Sequence, residues 1–326
     1  MRPYYEDERV TLWQGDNREI LRQLPAASVQ CVVTSPPFYH LRDYGVDGQI
    51  GLEPTLPEYI AQLVAVFAGV RHVLRDDGVL FVELGDCYSG GRGGGWKGDE
   101  HGQQKKVPIT DLGPKQLMGV PWRFAFAMQD AGWILREEIV WHKPNVMPES
   151  VQDRCTRAHS TIFHFAKQER YYWDNEAIKE PAGDWHGSNF DDPRDVQIHP
   201  TVGRKPRQSV PRGGFNGKTN ALPGREAFRA VTPTRNRRSV WTVATQPYKE
   251  SHFACWPERL VEPMILAGSR ESDVVLDPFA GSFTTGQVAV KHRRRAIGIE
   301  MNADYCAMSV RRFGRTQVAL PMEACP

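Results

Sequence analysis

The chain has 326 residues, of which 40% are hydrophobic and 25% are charged, and its formal net charge is +2. These values are ordinary for a globular enzyme that buries one large core or two modest ones. No apolar run approaches the length of a membrane span, and the N-terminus lacks the apolar segment of a signal peptide, so the sequence excludes a membrane or secreted protein and predicts a cytoplasmic one.

Cysteine spacing bears on metals and disulfides. The chain has six cysteines, and no two of them form a Cys-x-x-Cys pair. The sequence therefore indicates neither a zinc site nor a disulfide framework, and we expect reduced, mostly structural thiols and no bound metal.

The first elements in chain order are two short apolar runs. Residues 10–15 and 29–34 predict strands, of which the second reads as fully buried. Asp16 ends the first strand, and Asn17 can cap a helix that runs through Leu24. Asp16 fits a turn or a helix cap in this position.

The stretch Ser35-Pro36-Pro37-Phe38 directly follows the second strand. Two consecutive prolines cannot continue a sheet or a helix interior, so the chain must form a rigid loop there. At the carboxyl end of a parallel strand, such a loop lies where open α/β sheets bind ligands. A hydroxyl, an imide carbonyl and an aromatic ring suit a flat base that bears an amino group. Taken alone, the four residues also fit a plain proline-rich turn.

The middle of the chain predicts mainly scaffold. Residues 39–45 read as a lip over the base pocket, and His40 in it is expected to make a polar contact rather than to act as a base. Helices are predicted over residues 57–74 and 117–131, and strands over residues 79–84, 133–141 and 160–166. The last two strands are expected to form an antiparallel edge of the sheet.

The modest net charge hides a basic segment between residues 201 and 238. It holds ten lysines and arginines and a single acid, Glu226. Such a segment either tracks the phosphates of a nucleic acid or is a solvated loop. Hydrophobic periodicity is absent from residues 179–235, where glycine, proline, arginine and asparagine are abundant.

The C-terminal part contains a second chemical motif. Residues 273–282 combine a buried strand that ends in Asp277 with a tight turn that opens a helix, so backbone N–H groups face whatever lies above the strand. A further apolar strand ends in Glu300, which is placed to accept hydrogen bonds from two ribose hydroxyls. Together with Ser35 to Phe38, this pattern is specific.

On these motifs, the sequence resembles the amino-methylating DNA methyltransferases, which use S-adenosylmethionine to modify N4 of cytosine or N6 of adenine. The motif order, with Ser35 to Phe38 first and Asp277 to Ser282 last, is similar to the permuted beta class. The resemblance implies a Rossmann-like, doubly wound α/β fold with a mostly parallel seven-stranded sheet, an antiparallel edge strand and a smaller irregular target-recognition region. It also marks one departure, since Phe283 stands where the family usually has glycine.

The resemblance further implies a division of the chain. Residues 1–144 would form the N-terminal part of the catalytic domain, residues 145–238 the target-recognition region, and residues 239–326 the C-terminal, cofactor-binding part of the catalytic domain.

Two sets of site residues follow from the resemblance, and a third comes from the basic segment between residues 201 and 238, which beside a base-methylating site favours phosphate contacts. The catalytic set, in which Asp86 would hydrogen-bond Ser35 or the flipped base, is Ser35, Pro36, Pro37, Phe38 and Asp86. The cofactor-binding set is Asp16, Phe253, Ala254, Asp277, Pro278, Phe279, Gly281, Ser282, Thr284, Glu300 and Asn302. The DNA-binding set is Arg204, Lys205, Arg207, Arg212, Arg235, Arg237 and Arg238.

The activity that the resemblance implies is methyl transfer from S-adenosylmethionine to N4 of a flipped-out cytosine in double-stranded DNA. Serine at the first position of the loop favours cytosine, and N6 of adenine remains the alternative. An RNA or protein-amide methyltransferase and a non-catalytic DNA-binding relative are further possibilities. The expected partners are double-stranded DNA and a companion restriction endonuclease, in the cytoplasm of a prokaryote or as a phage product that associates with the nucleoid through DNA, with no membrane contact.

Overall fold

The protein forms two compact units, of which residues 179–237 are the smaller. The computed structural model describes residues 2–90, 112–181, 234–246 and 256–319. The larger unit consists of residues 1–178 together with residues 238–326. Residues 145–178, which the sequence assigned to target recognition, therefore belong to the larger unit.

One mixed sheet organises the larger unit. Within the described residues it has nine strands, in the order β1-β2-β11-β10-β3-β4-β6-β5-β9. The strands are β1 (Tyr5–Glu6), β2 (Val10–Gln14), β3 (Val29–Thr34), β4 (Leu74–Leu84), β5 (Ile134–His142), β6 (His159–Ala166), β9 (Val240–Thr242), β10 (Val274–Asp277) and β11 (Arg295–Glu300). The smaller unit contributes β7 (Glu180–Pro181) and β8 (Thr234–Arg235), which pair antiparallel.

The directions of the strands confirm a mostly parallel sheet with an antiparallel edge. Strands β2, β11, β10, β3 and β4 run parallel, and β6 pairs antiparallel with both β4 and β5. The predicted count of seven is corrected by β1 and β9, which add to the two ends of the sheet. Each is only two or three residues long, which is too short to show a hydrophobic period.

Strand β3 lies in the middle of the sheet, and all of its residues are buried. Continuous apolar runs of this kind are typical of parallel strands that are covered on both faces. Since parallel strands share a direction, the residues that follow β2, β3, β4, β10 and β11 all meet at one edge of the sheet. Both chemical motifs, the proline loop after β3 and the turn after β10, lie at that edge.

Helices cover both faces of the sheet. They are α1 (Asn17–Ile20), α2 (Leu56–Val73), α3 (Val120–Asp130), α4 (Glu258–Gly268), α5 (Thr284–Lys291) and α6 (Ala303–Ala319). Residues of α2 and α3 belong to one hydrophobic cluster, and residues of α4, α5 and α6 to a second. The fold is therefore doubly wound, as the resemblance implies. No helix in the described ranges is both long and apolar enough to span a bilayer.

Candidate active site

The proline loop places Ser35 against a buried carboxylate. Thr34 pairs with Val82 in the parallel ladder between β3 and β4, so the next residue of β4, Glu83, lies beside Ser35. The Ser35 hydroxyl donates a hydrogen bond of 2.7 Å to Glu83 Oε2, and Glu83 is only 4% exposed. Because the hydroxyl proton points at the carboxylate, the lone pairs of Ser35 Oγ remain available to accept an N–H group.

Packing from three directions fixes the rest of this loop. The hydroxyl of Tyr59, on α2, donates to the carbonyl oxygen of Pro37 at 2.8 Å. A Cβ at Gly85 would lie 2.5 Å from the Phe38 ring, and a Cβ at Gly51 would lie 3.2 Å from the Phe38 carbonyl oxygen. Neither glycine position has room for a side chain, so the Phe38 ring and carbonyl pack directly against the backbone of Gly85 and Gly51.

The Asp86 carboxylate binds backbone N–H groups in this structure rather than Ser35. Its side chain accepts hydrogen bonds from the backbone N–H groups of Cys87 and Val120, and its other oxygen lies 3.6 Å from Arg157. It therefore anchors the start of α3, and the hydroxyl of Ser35 contacts Glu83 instead. The signal for Glu83 in the sequence was a lone acid at the end of the apolar run 79–84.

The cofactor-type turn after β10 begins with a second buried acid. Asp277, which is 1% exposed, accepts hydrogen bonds from the Thr34 hydroxyl at 2.6 Å and from the Phe279 N–H at 3.1 Å. Burial raises the pKa of Asp277 to about 6, although these hydrogen bonds act in the opposite direction. The contact with Thr34 ties the turn directly to the last residue before the proline loop.

Glu300, at the end of β11, holds the other side of this turn. One of its oxygens accepts the N–H of Gly281 and the other accepts the N–H of Asn302, both at 2.8 Å. Burial raises the pKa of Glu300 to about 7. The side-chain amide of Asn17 also donates to the carbonyl of Pro278 at 2.9 Å, which brings the start of α1 onto the same turn.

Phe283 accommodates its unusual position by filling the core. It adopts φ 56° and ψ 45°, a left-handed conformation that favours glycine. Its ring is fully buried and packs edge-on against Phe313, with centroids 5.4 Å apart. A Cβ at Gly286 or at Gly298 would lie 2.6 or 2.7 Å from this ring. The two glycines thus make the space that the aromatic ring occupies.

The N-cap of α1 is Asp16, one residue before Asn17, which the sequence predicted as the cap. The Asp16 carboxylate accepts the Arg18 N–H at 2.8 Å and forms an ion pair with the Arg18 guanidinium. Burial favours a higher pKa for Asp16, but the bonds and charge of Arg18 outweigh it and lower that pKa. The helix ends at Ile20 rather than at Leu24.

These groups surround a single cavity of about 280 Å³. The predicted residues that line it are Asp16, Ser35, Pro36, Pro37, Phe38, Pro278, Phe279, Gly281, Ser282, Thr284, Glu300 and Asn302. Asp277 lies beneath the wall rather than on it. Lining residues that the sequence did not single out include Glu83, Trp141, Lys143 and Trp256. The structure therefore joins the serine clamp and the cofactor-type turn in one space.

Three of the predicted DNA-binding residues, Arg235, Arg237 and Arg238, lie within the described ranges. Arg235 pairs with Glu180 at 2.8 Å in the smaller unit, Arg237 is half-buried in the same unit, and Arg238 is exposed. His40 makes the expected polar contact, because its Nε2 lies 2.9 Å from the Glu53 carbonyl oxygen. Predicted residues outside the described ranges are Phe253, Ala254, Arg204, Lys205, Arg207 and Arg212.

Comparison with known proteins places this arrangement in a family. A family model of DNA methylases matches residues 29–311. The Type II methyltransferase M.XycI of Xanthomonas campestris pv. cyanopsidis is 42% identical over 308 residues, which cover 93% of this chain and 87% of the relative.

Two solved structures share the fold. The PvuII DNA methyltransferase, described as cytosine-N4-specific, matches with a TM-score of 0.63 at 21% identity and covers 99% of this chain and 91% of its own. A DNA modification methylase of Thermus thermophilus in complex with S-adenosylmethionine matches with a TM-score of 0.54 at 22% identity, over 94% of this chain and 95% of its own.

Proposed function

Because the chain belongs to the family of N6/N4 amino-methylating DNA methyltransferases, we propose that it methylates N4 of a cytosine that is flipped out of double-stranded DNA. The observation that carries this proposal is the pairing of Ser35 with Glu83 on the wall of the same cavity that the Glu300 turn lines. A site that accepts hydrogen bonds from an amine and a site of the type that binds a nucleoside therefore face the same cavity.

The residues present fit S-adenosylmethionine. Glu300, Asp16 and Asn302 put polar oxygens on the cavity wall, and Phe279 adds an apolar ring. We assign Glu300 to the ribose hydroxyls and Asp16 to the adenine amine, since carboxylates accept such donors. When it is bound, S-adenosylmethionine supplies an electrophilic methyl group on its sulfonium sulfur.

The serine clamp makes the substrate amine reactive. A base in a duplex hides its amine, so the nucleotide must leave the stack, and Phe38 provides a ring for it to stack on. Ser35 Oγ and the Pro36 carbonyl each accept one N–H of the amine. This favours a pyramidal nitrogen with its lone pair directed away from the clamp.

Glu83 gives the departing proton a destination. As the amine nitrogen gains a carbon, one of its N–H protons passes to Ser35 Oγ while the Ser35 proton passes to Glu83. The carboxylate becomes a carboxylic acid and later returns the proton to solvent. The 2.7 Å bond between Ser35 and Glu83 is already formed for this transfer.

Support for cytosine comes from Ser35 and from the cytosine-N4-specific description of the PvuII enzyme. Support for a restriction-modification role comes from M.XycI, a Type II methyltransferase. We accordingly assign double-stranded DNA as substrate, a companion restriction endonuclease as the partner system, and the bacterial cytoplasm as the location.

The test is nucleoside mass spectrometry of unmethylated plasmid DNA after incubation with the protein and S-adenosylmethionine. We expect N4-methylcytosine. N6-methyladenine alone would overturn the base assignment, and no methylated base would overturn the activity.

A variant pair separates the clamp from the scaffold. Ser35→Ala should lower kcat by roughly 100- to 1000-fold, as the loss of one preorganised hydrogen-bonding group does in other active sites, with an unchanged Kd for S-adenosylmethionine in calorimetry. Ser28→Ala is the matched control, because the Ser28 hydroxyl contacts only the Pro25 carbonyl in an exposed loop. Equal activity of the two variants would contradict the assigned role of Ser35.

A further inference from the structure

Lys143 is a cation on the wall of the base cavity that the proposed methyl transfer does not use. It follows β5, and its ammonium donates to the Ser160 hydroxyl on β6 at 2.6 Å. In the sheet, β6 lies between β5 and β4, the strand that carries Glu83. The side chain therefore reaches from β5 to β6, the strand next to the one that carries Glu83, and it lines the same cavity as Ser35 and Glu83.

The Lys143 ammonium is held in one place. It lies 4.1 Å from the centre of the Trp141 ring, a distance at which a cation is attracted to an aromatic face. Burial lowers the pKa of Lys143, and the negative charge of Glu83 opposes that change. A partly buried cation with a fixed position is typical of a group that binds a ligand rather than of a solvated surface lysine.

The hydrogen-bonding capacity of this ammonium is not exhausted by the protein. An ammonium has three N–H donors. Ser160 receives one of them, and the described residues provide no second hydrogen-bond acceptor for Lys143. Two donors are thus left at a cavity wall whose neighbouring groups at the clamp, the Ser35 hydroxyl and the Glu83 carboxylate, are acceptors.

This distribution of donors and acceptors matches one edge of cytosine. Next to its amine, cytosine carries two acceptors in a row, ring N3 and carbonyl O2. Adenine carries one ring acceptor beside its amine and then a C–H group. Thymine has no amine and presents an N–H where cytosine has N3, so it would meet both the clamp and the ammonium with the wrong groups.

We infer that Lys143 is a specificity-determining residue whose ammonium donates to the N3/O2 edge of the flipped cytosine while the clamp holds its amine. This inference rests on the proposed cytosine methylation. Charge-assisted hydrogen bonds of this kind discriminate strongly, because a base without the acceptors leaves a buried cation unmatched.

The test couples a protein variant to a substrate variant. The target sequence is first mapped by single-molecule sequencing of methylated DNA. Synthetic duplexes then carry cytosine, 2-thiocytosine or 3-deazacytosine at the target position, which weaken the O2 acceptor or remove the N3 acceptor. The proteins are the wild type, Lys143→Met, Lys143→Arg and the control Lys291→Met, whose lysine pairs with Glu258 on another face.

With cytosine, Lys143→Met should lower kcat/KM by about 10- to 100-fold, and Lys143→Arg should recover part of the loss. The kcat/KM of the wild type should fall by a similar factor when at least one analogue replaces cytosine. The kcat/KM of Lys143→Met should be nearly the same on that analogue as on cytosine. The Kd for S-adenosylmethionine and the activity of Lys291→Met should not change.

If the loss in kcat/KM caused by Lys143→Met and the loss caused by each analogue simply multiply, Lys143 does not read the base. An equal loss on every duplex with a reduced salt dependence, which is the signature of a phosphate contact, would also overturn this role. Either result leaves cytosine methylation intact. If the wild type instead methylates adenine and ignores both cytosine analogues, the proposed function itself fails.

Discussion

The two loops that face each other across the cavity achieve their shapes by different means. The proline loop after β3 is fixed by covalent rings, by the Tyr59 hydroxyl and by close packing at Gly85. The turn after β10 is fixed by buried carboxylates and contains two residues with left-handed φ, Gly281 and Phe283. The backbone of the proline loop is therefore fixed mainly by packing, whereas the cofactor-type turn depends on two carboxylates, Asp277 and Glu300, whose pKa values burial raises to about 6 and about 7.

The largest effect expected on the clamp side comes from Glu83→Gln. The amide group can donate as well as accept, so it no longer fixes the direction of the Ser35 proton and it cannot take up the proton of the amine. We expect kcat to fall by at least roughly 100-fold while the Kd for S-adenosylmethionine stays constant. Glu271→Gln, at an exposed ion pair with Arg293, should have no effect. A normal kcat in Glu83→Gln would remove Glu83 from the mechanism.

A substitution at Gly85 tests whether packing fixes the clamp. The methyl group of Gly85→Ala would lie 2.5 Å from the Phe38 ring and must displace it. Because misplacement of a reacting group by about 1 Å can cost up to 100-fold in rate, we expect kcat to fall by roughly 10-fold or more with an unchanged Kd for S-adenosylmethionine. Removal of the obstructing ring in Gly85→Ala/Phe38→Ala should not restore activity, since stacking is then lost. Full activity of Gly85→Ala would show that the loop yields easily.

The cofactor side should respond to pH. In the protein without S-adenosylmethionine, burial raises the pKa of Glu300 to about 7. The carboxylate is therefore mostly protonated below pH 7 and mostly ionised above it. Ribose hydroxyls donate best to the ionised form, so the affinity for S-adenosylmethionine should rise by roughly tenfold from about pH 6 to about pH 8. Calorimetry of Glu300→Gln should show weaker binding and a flatter pH dependence. An equally steep dependence in this variant would assign it to another group.

The smallest expected effect is the difference in stability between two variants of Phe283. Both Phe283→Ala and Phe283→Gly should lower the free energy of unfolding, by about 3–5 kcal/mol for the alanine variant, because a buried ring is lost. The glycine variant should be the more stable of the two by about 1 kcal/mol, since only glycine adopts the left-handed conformation without strain. Urea unfolding measures the difference. The opposite order would mean that the turn relaxes once the ring is gone.

Much of this site is local in the sequence and was therefore predictable. Strands β3 and β10 are short apolar runs, and each ends at residues that break regular structure, the proline loop and the turn from Asp277 to Ser282. Because the two strands are parallel neighbours, the loop and the turn lie at the same edge of the sheet. The confirmed resemblance supplied the order of the parts.

The parts that sequence reasoning missed depend on contacts between distant residues. Glu83 is a lone acid in the apolar run of a buried strand, and only its register against β3 shows that it meets Ser35. Lys143 contacts Ser160 only because β5 and β6 pair antiparallel. The resemblance pointed to Asp86 through the Gly-Asp pair after β4, but its carboxylate accepts a backbone N–H at the start of α3, which begins more than thirty residues later.

The position of β11 between β2 and β10 has a consequence for biosynthesis. A ribosome releases β2 and β3 early, yet the strands that complete their hydrogen-bonding edges, β11 and β10, are translated only after residue 273. Until then the nascent polypeptide carries two incomplete edges that favour contact with chaperones or with other chains. The methyl-donor pocket is consequently assembled last, so a prematurely terminated chain carries the serine clamp without any means of using it.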